Sequence, residues 1–524
     1  VSLPEWFLSA DERGNPNSSI PTWCSGNSAE PLIHGKTYFA RLAEEVTSLR
    51  EGDHLFFTDW RGDPDERVAD DGPTIAELFA AAARRGVIVK GLLWRSHLDK
   101  MAYSEEENRS LGDDIEKAGG EVLLDQRVRR GGSHHQKLVV LRHPGRPELD
   151  IAFAGGIDLC HSRRDDERHL GDPQAMAMAE AYGKTPPWHD VQLALRGPVV
   201  GALDLTFRER WTDPAPLDQG PIATVTDKLK HADLHVDALP PALPDPPPTG
   251  TLDIQTIRTY PAMRPAYGFA PDGEQTIARG YTKAIKRARK LIYLEDQYLW
   301  SREVAQLFAD ALRANPSLHL IAVVPRHPDV DGRLQLPPNR IGRELALSLC
   351  TRAAPDRVHV FDLENHQGTP VYVHAKVCVI DDVWCSVGSD NFNRRSWTHD
   401  SELSNAVLDE TRDQRQPRDP AGLGDGAREF ARDLRLSLMR EHLDAANDDD
   451  LIDPEAAVRT VTAAATRLRD WHASGEKGPR PPGRVLPHQI ERLPWRQRWW
   501  ALPAYRLAYD PDGRSWRDRM AGRW

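Results

Sequence analysis

Cysteine is scarce: five in 524 residues, at Cys24, Cys160, Cys350, Cys378 and Cys385. The odd number and wide spacing argue against a disulfide framework, and no C-x-x-C zinc spacing is present. A reducing compartment is the simpler reading. Also missing is an apolar run of about 20 residues, the length that crosses a bilayer. Val1 to Ala10 lacks the basic stretch followed by an apolar one that marks a signal peptide, although a mature chain would look the same. Nor is there an excess of basic charge. The formal net charge is −11, which argues against a nucleic acid as the main partner, because such proteins carry a basic footprint. What remains, 40% hydrophobic and 28% charged residues, is the composition of a globular protein.

The chain repeats itself. A helical pattern over Thr37–Leu49 leads into the apolar strand Leu55–Trp60, then a helix Thr74–Arg85 and a strand Val87–Trp94. The second half repeats the series: helix Thr276–Arg289, strand Leu291–Tyr298, helix Glu303–Ala314, strand Leu318–Val324. Apolar strands alternating with amphipathic helices predict an α/β sheet covered on both faces. Each half then delivers a polar strand and a hairpin: Ser133–Leu141 with Ile151–Asp158, and Tyr372–Asp381 with Cys385–Asn391. The spacing predicts a first lobe over 1–236, a Pro-rich linker over 237–250, a second lobe over 251–447 and an extension over 448–524. Prolines exclude the linker from helix interiors and central strands.

Residues i and i+2 of a strand share a face. His135 and Lys137 therefore point one way, as do His374 and Lys376. Two lobes about a pseudo-twofold axis would bring both pairs to one cleft, with two imidazoles and two ammonium groups around a single anion. That is the equipment of phosphodiester cleavage. A neutral imidazole attacks phosphorus. A protonated one supplies the leaving oxygen with its proton. The lysines neutralise the non-bridging oxygens. This chemistry needs no metal or cofactor, and no His-x-x-x-His or clustered-carboxylate spacing supplies a metal site.

These residues resemble the HKD signature of the phospholipase D superfamily. The second copy is His374-Ala-Lys376 with Asp381, followed by Gly388-Ser389-x-Asn391 and Arg395-Ser396. The first is His134-His135-Gln136-Lys137 with Gly155-Gly156-Ile157-Asp158-Leu159-Cys160, which is similar to the plant and eukaryotic-type enzymes, as are Pro187-Trp188-His189-Asp190 and Glu295-Asp296-Gln297-Tyr298. The resemblance runs from about Thr37 to Asn405. It implies two duplicated lobes, each a mixed sheet flanked by helices, with one shared cleft. It also implies a phosphohistidine on His135, with His374 as acid and then base. Glu402 would orient His135 and Asp165 would orient His374. Ser389, Asn391 and Asp158 are grouped as phosphate-binding residues. One position departs from the signature: Arg142 stands where the first motif carries Asp. An offset of seven faces away from the histidine, so the replaced Asp reads as structural, with Asp150 as its shifted equivalent.

The function expected is hydrolysis of glycerophospholipids to phosphatidic acid and head group, with transfer to alcohols as a variant. The alternatives are a nuclease of the same superfamily and a degenerate binding protein. The expected partner is phospholipid at a membrane or micelle surface, met by a monomer in the cytoplasm, with secretion as the other compartment. The Trp- and Arg-rich stretch Leu493–Trp500, with Trp516 and Trp524, reads either as an interfacial patch or as a tail packing its aromatics on the second lobe. Pro494, Pro503 and Pro511 break a long amphipathic helix and favour the packed tail.

Overall fold

The computed structural model describes residues 3–95, 105–217, 236–332 and 335–524. The first lobe contains β1 (Cys24–Ile33), β2 (His54–Asp59), β3 (Ile88–Trp94), β4 (Glu121–Asp125), β5 (Leu138–Arg142), β6 (Ile151–Gly155), β7 (Trp188–His189) and β8 (Val191–Arg196). The second contains β9 (Leu252–Tyr260), β10 (Glu274–Gln275), β11 (Leu291–Glu295), β12 (His319–Val323), β13 (Val358–Glu364), β14 (Pro370–Val373), β15 (Val377–Ile380), β16 (Trp384–Gly388) and β17 (Glu402–Asp409), with β18 (Val485–Pro487) added from the C-terminal segment.

The two sheets have one design. In the first, the order is β4–β3–β2–β5–β6–β8–β1. In the second it is β13–β12–β11–β15–β16–β17–β9. The first three strands of each run parallel and the rest pair antiparallel, so the predicted duplication holds strand for strand. Equivalent edge strands meet: β1 pairs antiparallel with β9 at Cys24↔Ile254 and Asn27↔Leu252. A self-complementary contact of this kind is what a pseudo-twofold axis requires. Phe56, Val140 and Leu193 of one sheet share an apolar cluster with Val377, Val387 and Val407 of the other. Burying that surface between the lobes fixes their relative position, and hence the cleft.

The helices predicted before and after each apolar strand are present at Gly35–Ser48, Ile75–Arg84, Thr276–Arg287 and Arg302–Ala314. Thr74 and Glu77 form a capping box at the second of these, which fixes where it starts. The Pro-rich stretch has no regular structure from Val236 to Thr249. It is nonetheless tied to the first lobe, since Arg208 donates to the Pro240 carbonyl and Arg142 to that of Pro244.

Two expectations need correction. The polar strands do not run through the His-x-Lys triplets. β5 begins at Leu138 and β15 at Val377, so both triplets are irregular extended chain just ahead of the ladder. Their backbone groups turn to the opposite lobe instead, as described below. The extension from Asp448 is also less separate than its place outside the repeat implied. After the helix Pro454–Ala473, β18 pairs antiparallel with β13 and so covers that edge of the second sheet.

Candidate active site

Each triplet is pinned by the other lobe. The N–H of His135 donates to the Ser401 carbonyl at 2.9 Å, beside a bridge between His134 and Ser401. The N–H of His374 donates to the His189 carbonyl at 2.8 Å, where β14 ends its parallel pairing with β7. These exchanges place a carboxylate from the facing lobe against each imidazole. His135 Nδ1 lies 2.9 Å from Glu402 Oε2, and His374 Nδ1 lies 2.6 Å from Asp190 Oδ2. With Nδ1–H donating to a carboxylate, each ring presents Nε2 as its reactive nitrogen.

The lysines complete the symmetry. Lys137 Nζ donates to the His135 carbonyl at 3.0 Å, and Lys376 Nζ donates to the His374 carbonyl. Both imidazoles sit in the field of both ammonium groups. Burial first, and those cations second, hold both histidines well below the ordinary histidine pKa. The resting rings are therefore neutral, and an arriving phosphate would cancel part of the cationic field and favour protonation. Burial lowers Lys376 to about 8 against the pull of Asp190, and burial together with Asp400 pushes Glu402 up to about 8.

The other predicted residues divide. Glu402 is where the resemblance put it, at the first position of β17. Asp165 is not. Its carboxylate accepts the backbone N–H groups of Trp188 and Asp166, so it fixes the loop that carries Asp190 instead of touching His374. Asp190 heads β8 as Glu402 heads β17, and these strands are duplication mates. The signal was present in the sequence: a carboxylate immediately before the strand that follows each hairpin, inside the Pro187–Asp190 stretch already singled out. Gly156 serves this contact, because a Cβ there would lie 2.1 Å from Asp190 Oδ1.

Asp158 does not face phosphate as an anion ligand. It binds Lys137 at 3.0 Å and Arg163 at 3.1 Å, and a carboxylate so placed positions cations. Ser389 is likewise committed, donating to Glu402 Oε2 at 2.5 Å and accepting from Leu403 N–H. Asn391 is the duplication mate of Asp158, and its buried side-chain oxygen has no partner. An amide can be turned to offer N–H instead, so Asn391 is the member of the trio able to meet a phosphate oxygen. Sequence reasoning missed Arg163, whose guanidinium lies 4.0 Å over the Trp188 ring, itself 5.0 Å from His374. Gln297, in the Glu295–Tyr298 stretch, lies beside the second lysine, its Oε1 accepting from Lys376 at 3.3 Å.

Arg142 is wholly buried, bound to Asp150 at 2.7 Å and Asp204 at 3.0 Å. In the second lobe Asp381, the mate of Arg142, accepts three successive N–H groups from Arg289, Lys290 and Leu291. Asp53 caps the equivalent turn of the first lobe, accepting from Arg50 N–H and pairing with Arg146. The motif aspartate is thus a turn anchor facing away from the chemistry, and Asp53, not Asp150, stands in for it.

This geometry defines a duplicated two-lobed fold in which each lobe's His-x-Lys triplet is paired with a carboxylate from the other. The family model "Phospholipase D" matches residues 65–239, and "Cardiolipin synthase, PLD-like domain" matches 281–416. Phospholipase D alpha 1 of Oryza sativa subsp. japonica is 24% identical, covering 88% of this chain and 71% of its own. Phospholipase D alpha 1 of Ricinus communis is 25% identical, with coverages of 80% and 64%. A solved structure of phosphatidylserine synthase from Haemophilus influenzae Rd KW20 superposes with a TM-score of 0.50 at 12% identity, covering 76% of this chain and 86% of that one. The chain belongs to the phospholipase D superfamily. Within it, the plant relatives place it with the eukaryotic-type members, as a phosphodiesterase of phospholipase D type.

Proposed function

We propose that the protein cleaves glycerophospholipids to phosphatidic acid and free head group through a phosphohistidine on His135. The observation that carries this reading is the pair of carboxylate-oriented imidazoles, one from each lobe, inside the field of both lysines. His135 Nε2 attacks phosphorus as the bond to the head-group oxygen breaks, and His374 Nε2–H passes its proton to that oxygen. His374, now neutral, takes a proton from water, the hydroxide attacks phosphorus, and the P–N bond breaks to return His135. An alcohol in place of water gives phosphatidyl transfer. Lys137, Lys376 and Asn391 bind the non-bridging oxygens, with Arg163 held nearby by Asp158.

The lipid substrate is supported by the names of the plant relatives, by the acidic net charge, and by the C-terminal surface. The packed-tail reading of that surface holds only in part. Leu493, Ala501 and Tyr505 do pack against Trp300 and Ile341 of the second lobe. Trp495, Trp499 and Trp516, however, are 68%, 78% and 69% exposed, together with Leu507 and Met520. Between Arg492 and Trp524 there are eight arginines and three aspartates. Indole rings beside arginine suit the headgroup layer of an anionic bilayer. The test is head-group release from mixed vesicles of phosphatidylcholine, phosphatidylethanolamine and phosphatidylglycerol by the wild type, His135→Ala and His374→Ala. Release by the wild type alone supports the reading. No release from any of the lipids, or release undiminished in either variant, overturns it.

A further inference from the structure

Behind the catalytic cleft lies a second constellation that phosphodiester chemistry does not use. His34 follows β1, His169 sits in the long loop before β7, His189 ends β7, and Glu441 comes across from the helix Glu429–Leu443 of the second lobe. One ligand atom from each lies within 4.8 Å of all the others. His34 Nε2 is 2.8 Å from Glu441 Oε2, His169 Nε2 is 3.2 Å from Glu441 Oε1, and His189 Nδ1 is 3.8 Å from that same oxygen. Four ligands at tetrahedral Zn–N and Zn–O distances stand about 3.3 Å apart.

The outward contacts fix which nitrogen faces in. His169 Nδ1 meets the Trp188 carbonyl at 3.1 Å, which takes its proton outward and leaves Nε2 as a lone pair. His189 Nε2 meets Glu295 Oε2 at 2.7 Å, leaving Nδ1 inward, and that buried nitrogen has no hydrogen-bond partner. Glu295 is itself held by Tyr293 and His442. A carboxylate or carbonyl behind His189 and His169 is the arrangement that orients histidines toward a metal, while His34 Nδ1 is buried with no hydrogen-bond partner. The backbone is also bent toward this arrangement: His34 has φ 71° and ψ 148°, a region natural to glycine, and His169 has φ 53°. An open surface cleft lined by Ile33, Glu167, Arg440 and Glu441 supplies an entry path.

We propose that His34, His169, His189 and Glu441 form a structural Zn2+ site that joins the two lobes and sets the position of Asp190. Three imidazoles and one carboxylate, fully supplied by protein, match the ligand set of a closed tetrahedral zinc site. The site includes the residue before Asp190, so it would hold the backbone that delivers the carboxylate to His374. The inference stands on these four side chains alone and does not depend on which phosphodiester is cleaved.

The test is metal content of the full chain, stripped with chelator and then reloaded with Zn2+ alone, measured by inductively coupled plasma mass spectrometry after gel filtration. One zinc per chain is expected, with at least about a hundredfold weaker binding in His34→Ala and Glu441→Gln and none lost in His399→Ala. Co2+ in place of Zn2+ on the wild-type chain should give the intense visible absorption of tetrahedral coordination, which keeps the question decidable should a variant fail to fold. A wild-type chain that takes up less than a tenth of an equivalent, or a cobalt spectrum of octahedral intensity, would leave a hydrogen-bonded His–Glu network and overturn the proposal.

Discussion

The two lobes carry the same seven-strand sheet and the same His-x-Lys triplet, yet they treat the triplet differently. In the first, Lys137 is held by a charged partner, Asp158, which also grips Arg163. In the second, the mate of Asp158 is Asn391, and Lys376 donates to the neutral Gln297 and a backbone carbonyl, with Asp190 acting on it only through its field. Burial lowers Lys376 to about 8. Duplication supplied a symmetric frame, and single replacements within it gave the two lysines different partners. The carboxylates cross over, each lobe orienting the other's histidine, so neither half-site is complete alone.

The sharpest break of this comparison is at the histidines. His135→Ala and His374→Ala should each lower kcat by roughly 10⁴ or more, the scale seen when one member of a nucleophile–base unit is removed. They should differ in what accumulates. With a leaving group that needs no proton, such as a nitrophenyl ester, His374→Ala should retain phosphate on His135, detectable as acid-labile phosphoprotein. His135→Ala should retain none. The next largest effect is at the crossing carboxylates. Asp190→Asn and Glu402→Gln should cost on the order of 10²–10⁴ in kcat, because each reverses the hydrogen bond that sets the ring tautomer. Asp165→Asn should cost far less per folded molecule, and equal losses at Asp165 and Asp190 would contradict the geometry.

The difference between the lysines is sharpened by pH. Lys376 is charged below its pKa and neutral above it, so kcat/KM should fall as pH rises through about 8. Lys376→Arg should move this limb to higher pH, at a lower rate. A limb that stays in place would assign the titration to Glu402, which also stands at about 8. Arg142 tests the opposite face of the sheet. Arg142→Met leaves Asp150 and Asp204 short of a buried partner and should lower unfolding free energy by about 3–5 kcal/mol in urea titrations. Turnover per folded molecule should not change. The smallest effect is expected outside both lobes. Trp499→Ala with Trp516→Ala should weaken binding to anionic vesicles several-fold in a sedimentation assay, with turnover of a soluble short-chain lipid unchanged.

Legibility varied with the range of the interaction that decides each feature. The helices and inner strands were readable because apolar periodicity is local, and the structure shifts their ends by at most three residues. The triplets were misplaced within strands because His135 N–H bonds Ser401 and not a neighbour in its own sheet. Glu402 and Asp165 both came from the resemblance, and the structure puts Asp190, not Asp165, against His374. The strand equivalence of β8 and β17 decides that choice, and it becomes visible only when both sheets are laid out. Ser389 and Asp158 were grouped with the phosphate from their place after the hairpin strands, whereas their partners in the structure are Glu402 and Lys137.

By itself the sequence determined the duplication, the sheet class and the four groups able to do phosphoryl chemistry, because these depend on periodicity and on residue type at fixed short spacing. Tertiary structure alone decided which carboxylate meets which histidine, that Arg142 is buried against Asp150 and Asp204, and that His34, His169, His189 and Glu441 meet. Those contacts join residues from opposite lobes or distant loops. No spacing along a chain encodes them, because the packing of the two sheets across the β1–β9 seam sets the distances.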